Sequence, residues 1–171
     1  MTGMSERRSI NRVSSRILWA PWRIEYINSG KKGVCLFCAK ARVRDQEKAG
    51  ILFRGDKAFV VLNSYPYNSG HLMVAPYRHL ADLEKLGGEE TVEILELVQR
   101  SVAAIKTVMR PQGFNVGFNL GRPAGAGIVN HLHVHVVPRW NGDTNFMPVL
   151  SRTRVISQSL QAVYRLLRTR F

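Results

Sequence analysis

Three histidines separated by single apolar residues constrain this chain more than any other feature of its sequence. Residues 131–137 read His-Leu-His-Val-His-Val-Val. Successive side chains of a β-strand point to opposite faces, so the three imidazoles share one face and the aliphatic residues share the other. A solvent-exposed polar face is the alternative, but three histidines in strict alternation are rare by chance. The pattern predicts a strand with an aliphatic core face and a histidine face that lines a site.

Such a row of imidazoles indicates a nucleophile. A neutral ring whose Nδ1–H is held by an acceptor keeps a free Nε2 lone pair, which can bind a metal or attack an electrophile. Same-face neighbours on a strand lie about 6.6 to 7 Å apart, so coordination of one ion by all three is strained. The preceding loop, 121–128, is rich in Gly and Ala, which let backbone N–H groups approach an anion. A nucleophile beside a phosphate-binding loop indicates phosphoryl or nucleotidyl transfer.

The remaining periodicity predicts an α+β fold with a five-stranded antiparallel sheet. Short β-rich runs separated by turn residues predict strands over 51–54, 58–63, 71–76, 114–120 and 131–138. Helical spacing between the Gly87-Gly88 pair and Pro111 predicts one long amphipathic helix over 88–109. Its expected inward stripe is Val92, Leu95, Val98, Val102, Ile105 and Met109. Shorter helices are expected over 39–46 and over 157–167, the second with Leu160, Val163 and Leu167 inward.

Length and charge bound the organisation of the chain. Its 171 residues suit a flexible basic arm, 1–16, followed by a single domain, 17–171, in which the aromatic-rich segment 18–27 docks on the core or a partner. The net charge of +13 favours anionic partners: nucleotides, nucleic acid or acidic membranes. No apolar run approaches the roughly 18 residues of a membrane span, so we expect a cytoplasmic protein. A Ser- and Arg-rich start is also typical of an organelle transit peptide.

The histidine stretch resembles the motif of the histidine triad (HIT) family of nucleotidyl hydrolases and transferases. The match covers roughly residues 51–140 and includes, at family-like spacing, Leu62-Asn63, Gly70-His71-Leu72-Met73-Val74 and Asn119. Four stretches, 18–27, 63–77, 113–121 and 138–146, resemble the bacterial diadenosine tetraphosphate phosphorylase branch. The resemblance implies a HIT-like sheet with one long amphipathic helix and a C-terminal helical extension. It also implies a homodimer that joins two sheets through the helix and strand region.

The resemblance implies a role for each site residue. His133 is the expected nucleophile on the α-phosphorus, forming a nucleotidyl-histidine intermediate. His135 and Asn119 hold the phosphate oxygens or the leaving group. Asn63 corresponds to the ribose-binding position, and His71 lies beside the site. The developing charge is stabilised by backbone N–H groups of the loop residues Gly125, Ala126, Gly127 and Ile128.

Two cysteines predict a structural zinc site. Cys35 and Cys38 have the C-x-x-C spacing that lets one turn present two thiolates to zinc, and a closed site needs two more ligands. The chain has no other cysteine, so His79 and His131 are the candidates, since the other triad histidines have chemistry to do. Certain triad relatives and the galactose-1-phosphate uridylyltransferases resemble this arrangement. A redox-active dithiol and two unligated cysteines are the alternatives.

These features together predict a nucleotidyl transferase that cleaves dinucleoside polyphosphates without an organic cofactor. Phosphate as acceptor makes it a phosphorylase releasing ADP and ATP, whereas water makes it a hydrolase releasing AMP. One alternative is a hydrolase acting on other nucleotide conjugates such as phosphoramidates. The other is a basic nucleic-acid-binding module, but the chain lacks the interleaved aromatic and basic strand pattern that stacks successive bases. Nucleic acid is therefore not the expected partner.

Overall fold

One antiparallel sheet with helices on both faces organises the computed structural model, which describes residues 34–144 and 156–171. The strand order is β1-β2-β3-β5-β4, and every neighbouring pair is antiparallel. The strands are β1 (Ile51–Arg54), β2 (Ala58–Leu62), β3 (Leu72–Pro76), β4 (Gly113–Phe118) and β5 (Val134–Arg139). The predicted α+β class with five antiparallel strands is confirmed. The predicted arm 1–16 and the aromatic-rich segment 18–27 lie outside the described residues.

Four α-helices lie within the described residues. They are α1 (Leu36–Arg42), α2 (Gln46–Ala49), α3 (Gly88–Met109) and α4 (Leu160–Arg168). The prediction of one helix over 39–46 is wrong, because α1 begins directly after Cys35 and a break separates it from α2. Single 3₁₀ turns occur at Leu83–Lys85 and Arg122–Ala124. No helix in the described part of the chain combines the length and apolarity needed to cross a membrane.

Strand β2 is buried on both faces, and it separates two layers of core. Val60 and Leu62 pack toward α3 and α4, whereas Phe59 and Val61 pack toward α1. A strand covered on both sides reads as a continuous apolar run, which explains the sequence Ala-Phe-Val-Val-Leu. Val134 and Val136 of β5 belong to the α3 layer. The triad imidazoles therefore face the opposite layer, where α1 lies.

The long helix α3 has the predicted bounds, and four of its six predicted inward residues pack on the core. Glu90 accepts a hydrogen bond from the Gly87 N–H at 2.9 Å at its start, and Pro111 follows its end. Val92 and Leu95, predicted inward, are 58% and 59% exposed. Val98 and Ile105 are buried as predicted, and Val102 and Met109 pack against the core. The buried face also includes Ile94, Leu97, Ser101 and Ala104, which the predicted stripe omitted. The exposed side chains of Val92 and Leu95 lie outside the face that the sheet covers.

Strand β5 starts later than predicted, at Val134, so His131 and His133 precede it. The Leu132 N–H donates to the Leu80 carbonyl at 2.6 Å instead of joining the sheet. The partner strand β3 ends at Pro76, which has no N–H to extend a ladder. The row of rings is retained, because the centroids of His133 and His135 are 4.8 Å apart and Phe37 contacts both His131 and His133.

Helix α4 packs against β1 and α3. The Ser159 side chain accepts a hydrogen bond from the Ala162 N–H at 3.2 Å and caps the helix, while the Tyr164 hydroxyl donates to the Ile51 carbonyl at 3.2 Å. Val163 and Leu167 are buried as predicted. Leu160, also predicted inward, is exposed because it occupies the first turn, beyond the edge of the contact.

Candidate active site and metal site

The imidazole of His133 is held with one nitrogen free to react. Its Nδ1 donates a hydrogen bond to the carbonyl oxygen of His131 at 2.8 Å. A neutral ring that donates from Nδ1 has its lone pair on Nε2. His133 is buried, but it lines a cavity of about 510 Å³, so this lone pair is accessible from the cavity. The geometry leaves one ring nitrogen with a free lone pair at the cavity, as a nucleophilic role would require.

A chain of hydrogen bonds fixes the proton on His135. The Tyr67 N–H donates to His71 Nδ1 at 3.0 Å, so the proton of a neutral His71 lies on Nε2. That Nε2 is 2.9 Å from Nδ1 of His135, which must accept. The remaining nitrogen of His135, Nε2, therefore carries a proton. At the cavity, Nε2 of His135 therefore carries a proton that it can donate, whereas Nε2 of His133 carries a lone pair.

Burial keeps this pair of rings neutral. Desolvation, reinforced by His135 and then His133, lowers the pKa of His71 to about 3. Desolvation and the neighbouring His133 lower the pKa of His135 to about 4. Burial also lowers the pKa of His133, against the opposing effect of its bond to the His131 carbonyl. All three imidazoles are therefore uncharged near neutral pH, as nucleophilic and donor roles require.

Asn119 and the glycine-rich loop lie beside His135 at one side of the cavity. The side-chain amide of Asn119 comes within 3.4 Å of His135 Nε2, and Gly125 lies beside the same amide. Gly125 adopts a φ of 91°, which favours glycine. The N–H groups of Gly125 and Ala126 donate to carbonyls of the loop itself. Those of Gly127 and Ile128 have no hydrogen-bond partner among the described residues.

Asn63 lies at the opposite side of the cavity, directly after β2. Its side-chain oxygen accepts a hydrogen bond from the Tyr65 N–H at 2.9 Å, and its amide nitrogen is 3.2 Å from His71 Nδ1. These contacts hold the amide at the cavity wall. Predicted residues from both sides of the cavity are thus brought together around His133.

The four predicted metal ligands form one cluster. The ligand atoms of Cys35, Cys38, His79 and His131 all lie within 4.8 Å of one another. Cys35 Sγ is 3.2 Å from His131 Nδ1, Cys38 Sγ is 3.4 Å from His79 Nδ1, and the two Nδ1 atoms are 3.3 Å apart. Tetrahedral zinc, with bonds of about 2.0 Å to nitrogen and 2.3 Å to sulfur, separates its ligands by roughly 3.3 to 3.8 Å. The cluster therefore fits tetrahedral zinc.

Surrounding residues orient the side chains of the cluster and connect the cluster to His133. His131 Nε2 is 2.9 Å from the Pro76 carbonyl, which accepts its proton and leaves the Nδ1 lone pair facing the cluster. The ring of Phe37, between the two cysteines in sequence, lies 5.1 Å from His131 and 4.8 Å from His133. One residue, His131, thus offers its side chain to the metal site and its carbonyl to His133.

Sequence reasoning missed three contributors. Phe37 packs between the metal cluster and the triad, the Tyr67 N–H sets the tautomer of His71, and Lys40 lines the cavity. Phe37 lies between the two cysteines in sequence, and this position between two predicted metal ligands could have predicted that its side chain is buried. No comparable signal marks Lys40, which occurs in an ordinary basic stretch.

Comparison with known proteins identifies the family. The model of the HIT domain family matches residues 27–142, about two thirds of the chain. The chain belongs to the HIT domain family. The HIT motif predicted from the three alternating histidines is thereby confirmed.

Relatives of this HIT protein include enzymes and metal-bound structures. It is 42% identical over 176 residues to the "AP-4-A phosphorylase" of Mycobacterium tuberculosis, covering 98% of this chain and 87% of that protein. A Zn-bound histidine triad family protein from Mycobacterium smegmatis superposes with a TM-score of 0.63 at 29% identity, covering 80% of this chain and 91% of that one. Plasmodium falciparum diadenosine triphosphate hydrolase, at 17% identity and a TM-score of 0.58, covers 74% of this chain and 75% of its own and shares the fold.

Proposed function

We propose that this HIT protein is a nucleotidyl transferase that cleaves dinucleoside polyphosphates with inorganic phosphate as the acceptor. The observation that carries the proposal is the pairing of an accessible His133 Nε2 lone pair with a proton-bearing His135 Nε2 at one cavity. The 42% identical AP-4-A phosphorylase supports both the substrate class and the acceptor.

In the first step His133 displaces the leaving nucleotide. Its Nε2 lone pair forms a bond to the α-phosphorus, and the bond from that phosphorus to the bridging oxygen breaks. The positive charge that develops on the ring is stabilised through Nδ1–H by the His131 carbonyl. The nucleotide is held at phosphorus by a covalent bond, and ATP departs when the substrate is diadenosine tetraphosphate.

The groups around phosphorus stabilise the anionic oxygens. His135 donates from Nε2, and the N–H groups of Gly127 and Ile128, which have no partner among the described residues, donate to the phosphate oxygens without first breaking a hydrogen bond seen there. His71 acts as a positioning residue, because it keeps the proton of His135 on the cavity side. Asn63 holds the ribose.

In the second step phosphate takes the place of the departed nucleotide. A phosphate oxygen attacks the α-phosphorus, the bond to His133 Nε2 breaks, and ADP leaves with the ring restored to its neutral form. Cys35, Cys38, His79 and His131 would hold a structural zinc ion that joins the loop before α1 to the segments around His79 and the triad. When bound, that ion supplies a rigid crosslink.

Product analysis tests the acceptor. Purified full-length protein given diadenosine tetraphosphate is expected to release ADP plus ATP, and only when inorganic phosphate is present. Products are separated by anion-exchange chromatography. AMP plus ATP at equal rates with and without phosphate would instead establish a hydrolase, and no turnover under either condition would contradict the proposed substrate class.

We also propose that the protein is a homodimer joined through the free edge of β4. The other edge, β1, is covered by α2 and α4, whereas no described element pairs with the outer side of β4. Val116 on β4 is 48% exposed, and Leu120 just beyond it is exposed. An unpaired, apolar strand edge is a template for association.

Of the exposed side of α3, only the flank that carries Leu95 extends this edge. Glu93 accepts from the Lys57 N–H at 2.8 Å, and Arg100 lies 3.9 Å above the Phe53 ring, so that flank of the helix faces β1. Leu95 lies on the opposite flank, toward β4. The β4 edge and the Leu95 flank therefore form one apolar surface for a second copy of the chain.

A lysine at this surface tests the dimer. Val116→Lys is expected to weaken dimerisation by at least about 100-fold, since the interface would have to bury an unpaired charge. Val92→Lys is the matched control: Val92 is equally exposed, but it lies on the side that lines a cavity with Phe53 and Arg54. Sedimentation velocity measures the state of each variant. A monomeric wild-type protein at micromolar concentration would contradict the proposal.

The proposed organisation is a single catalytic domain over 17–171 that works in the cytoplasm. Both described cysteines are free thiols within a metal-ligand cluster, which suits a reducing compartment. Phosphate and nucleotides, the proposed reactants, are abundant there.

A further inference from the structure

Lys40, on α1, is a charged side chain in the cavity wall to which the proposed reaction gives no role. It is half-buried, and its Nζ donates a hydrogen bond to the Ala49 carbonyl at 2.5 Å. Lys40 also lines an adjoining cavity with Asp45 and Glu47. No carboxylate of the described residues forms an ion pair with Lys40, because Glu47 pairs with Arg165 and Asp45 accepts from the Lys48 N–H. Partial burial of an ammonium group is costly unless acceptors surround it. Lys40 therefore has donors to spare inside a substrate cavity.

The position of Lys40 matches the far end of a bound nucleotide. Its partner Ala49 closes α2, just before β1, and the order β1-β2-β3-β5 places three strand intervals between β1 and the triad strand. At about 4.8 Å each, these intervals amount to roughly 14 Å. Asn63, at the end of β2, lies between the two. A nucleotide with phosphorus at His133 and ribose at Asn63 therefore directs its base toward Lys40.

The donors of Lys40 select among bases. A lysine ammonium has three donors and no acceptor, and one of its donors is used by Ala49. Guanine presents two adjacent acceptors, O6 and N7, an edge that lysine commonly contacts. Adenine presents N7 beside an amino group, which is itself a donor. No carboxylate lines this cavity in the described part of the chain to accept from that amino group.

We propose that Lys40 reads the O6 and N7 edge of a 6-oxopurine, so that the site prefers guanosine or inosine nucleotides to adenosine nucleotides. This inference rests on the proposed function, because it requires a nucleotide whose phosphorus is at His133. It adds base specificity and leaves the reaction unchanged. Dinucleoside polyphosphates that carry guanine are then the preferred substrate class.

Calorimetric titration of the zinc-loaded full-length protein with nucleoside monophosphates tests the preference without turnover. Inosine and guanosine monophosphates are expected to bind about tenfold more tightly than adenosine monophosphate, as one good lysine contact to a purine edge provides. Lys40→Met keeps the aliphatic length of the side chain and removes its donors. The variant is expected to lose that tenfold advantage while its affinity for adenosine monophosphate changes by less than about threefold.

Lys48→Met is the matched control, since Lys48 lines only the adjoining cavity and should leave all three affinities unchanged. Tighter or equal binding of adenosine monophosphate by the wild-type protein would overturn the inference, as would an equal loss for all three ligands in Lys40→Met. A preserved 6-oxopurine preference without turnover of any dinucleotide would refute the proposed reaction alone. Failure to bind any of the three nucleotides would refute both.

Discussion

Replacing His133 with alanine is expected to lower kcat for phosphorolysis of diadenosine tetraphosphate by at least about 10⁴-fold. No neighbouring ring can take over the attack. His135 has Nδ1 engaged by His71 and a proton on Nε2, and His131 faces the metal cluster. Initial rates of ADP and ATP release in saturating phosphate measure the effect. Turnover within about tenfold of wild type would show that another group is the nucleophile.

Binding and trapping experiments separate chemistry from folding in this variant. His133→Ala should bind nucleoside monophosphates within about threefold of wild type, because Asn63 and the glycine-rich loop remain in place. Without phosphate, the wild-type protein should gain the mass of one nucleotidyl group, located on His133 by peptide mass spectrometry. Asn115→Ala is a suitable control, since Asn115 is exposed on β4 and bonds to Arg139. This control should acquire the label at the wild-type rate.

Replacing Cys35 with serine is expected to remove the metal and lower the melting temperature by at least about 6 °C. The cluster links a loop before α1 to His79 after β3 and to His131 before β5, three segments far apart in sequence. Loss of such a link costs about 3 to 5 kcal/mol, and each kcal/mol shifts the melting temperature of a domain this size by roughly 2 to 4 °C. Differential scanning calorimetry and elemental analysis provide the two readouts.

Metal removal gives an independent arm of the same test. Wild-type protein stripped by a chelator should melt near the Cys35→Ser variant, and added zinc should restore only the wild-type protein. Ser157→Ala, a hydroxyl change at an exposed residue outside the cluster, should melt with the untreated protein. A purified wild-type protein that contains no metal and melts with Cys35→Ser would contradict a structural zinc site.

Periodicity predicted the long helix and most of its buried face, but not which residues of its first two turns face the sheet. In those turns both the pair Val92 and Leu95 and the pair Ile94 and Leu97 fit helical spacing. Spacing alone does not distinguish a stripe that packs on the sheet from one that faces outward. The choice is made by Glu93, whose bonds to the turn between β1 and β2 fix the rotation of α3. This contact joins residues 36 positions apart, so no local pattern contains it.

The candidate site also contains residues that the sequence predicts and residues that it does not. Alternating histidines and a C-x-x-C pair are rare motifs, so they can be recognised from the sequence alone. The structure brings these residues together around one cavity and one cluster. Tyr67 acts through its backbone N–H, which any residue except proline possesses. Lys40 is positioned by its hydrogen bond to the carbonyl of Ala49, which lies just before β1. The type of a residue does not reveal a contribution made by its backbone groups or by packing against residues distant in sequence.

The neutral histidine pair sets how this protein responds to acidity. With the pKa of His71 near 3 and that of His135 near 4, neither ring changes its charge between pH 5 and pH 9. When the interior of a cell becomes moderately acidic under stress, the two rings therefore stay uncharged. A change in rate over that range is therefore not caused by protonation of this pair, whereas the ionisation of phosphate and nucleotide contributes to it directly.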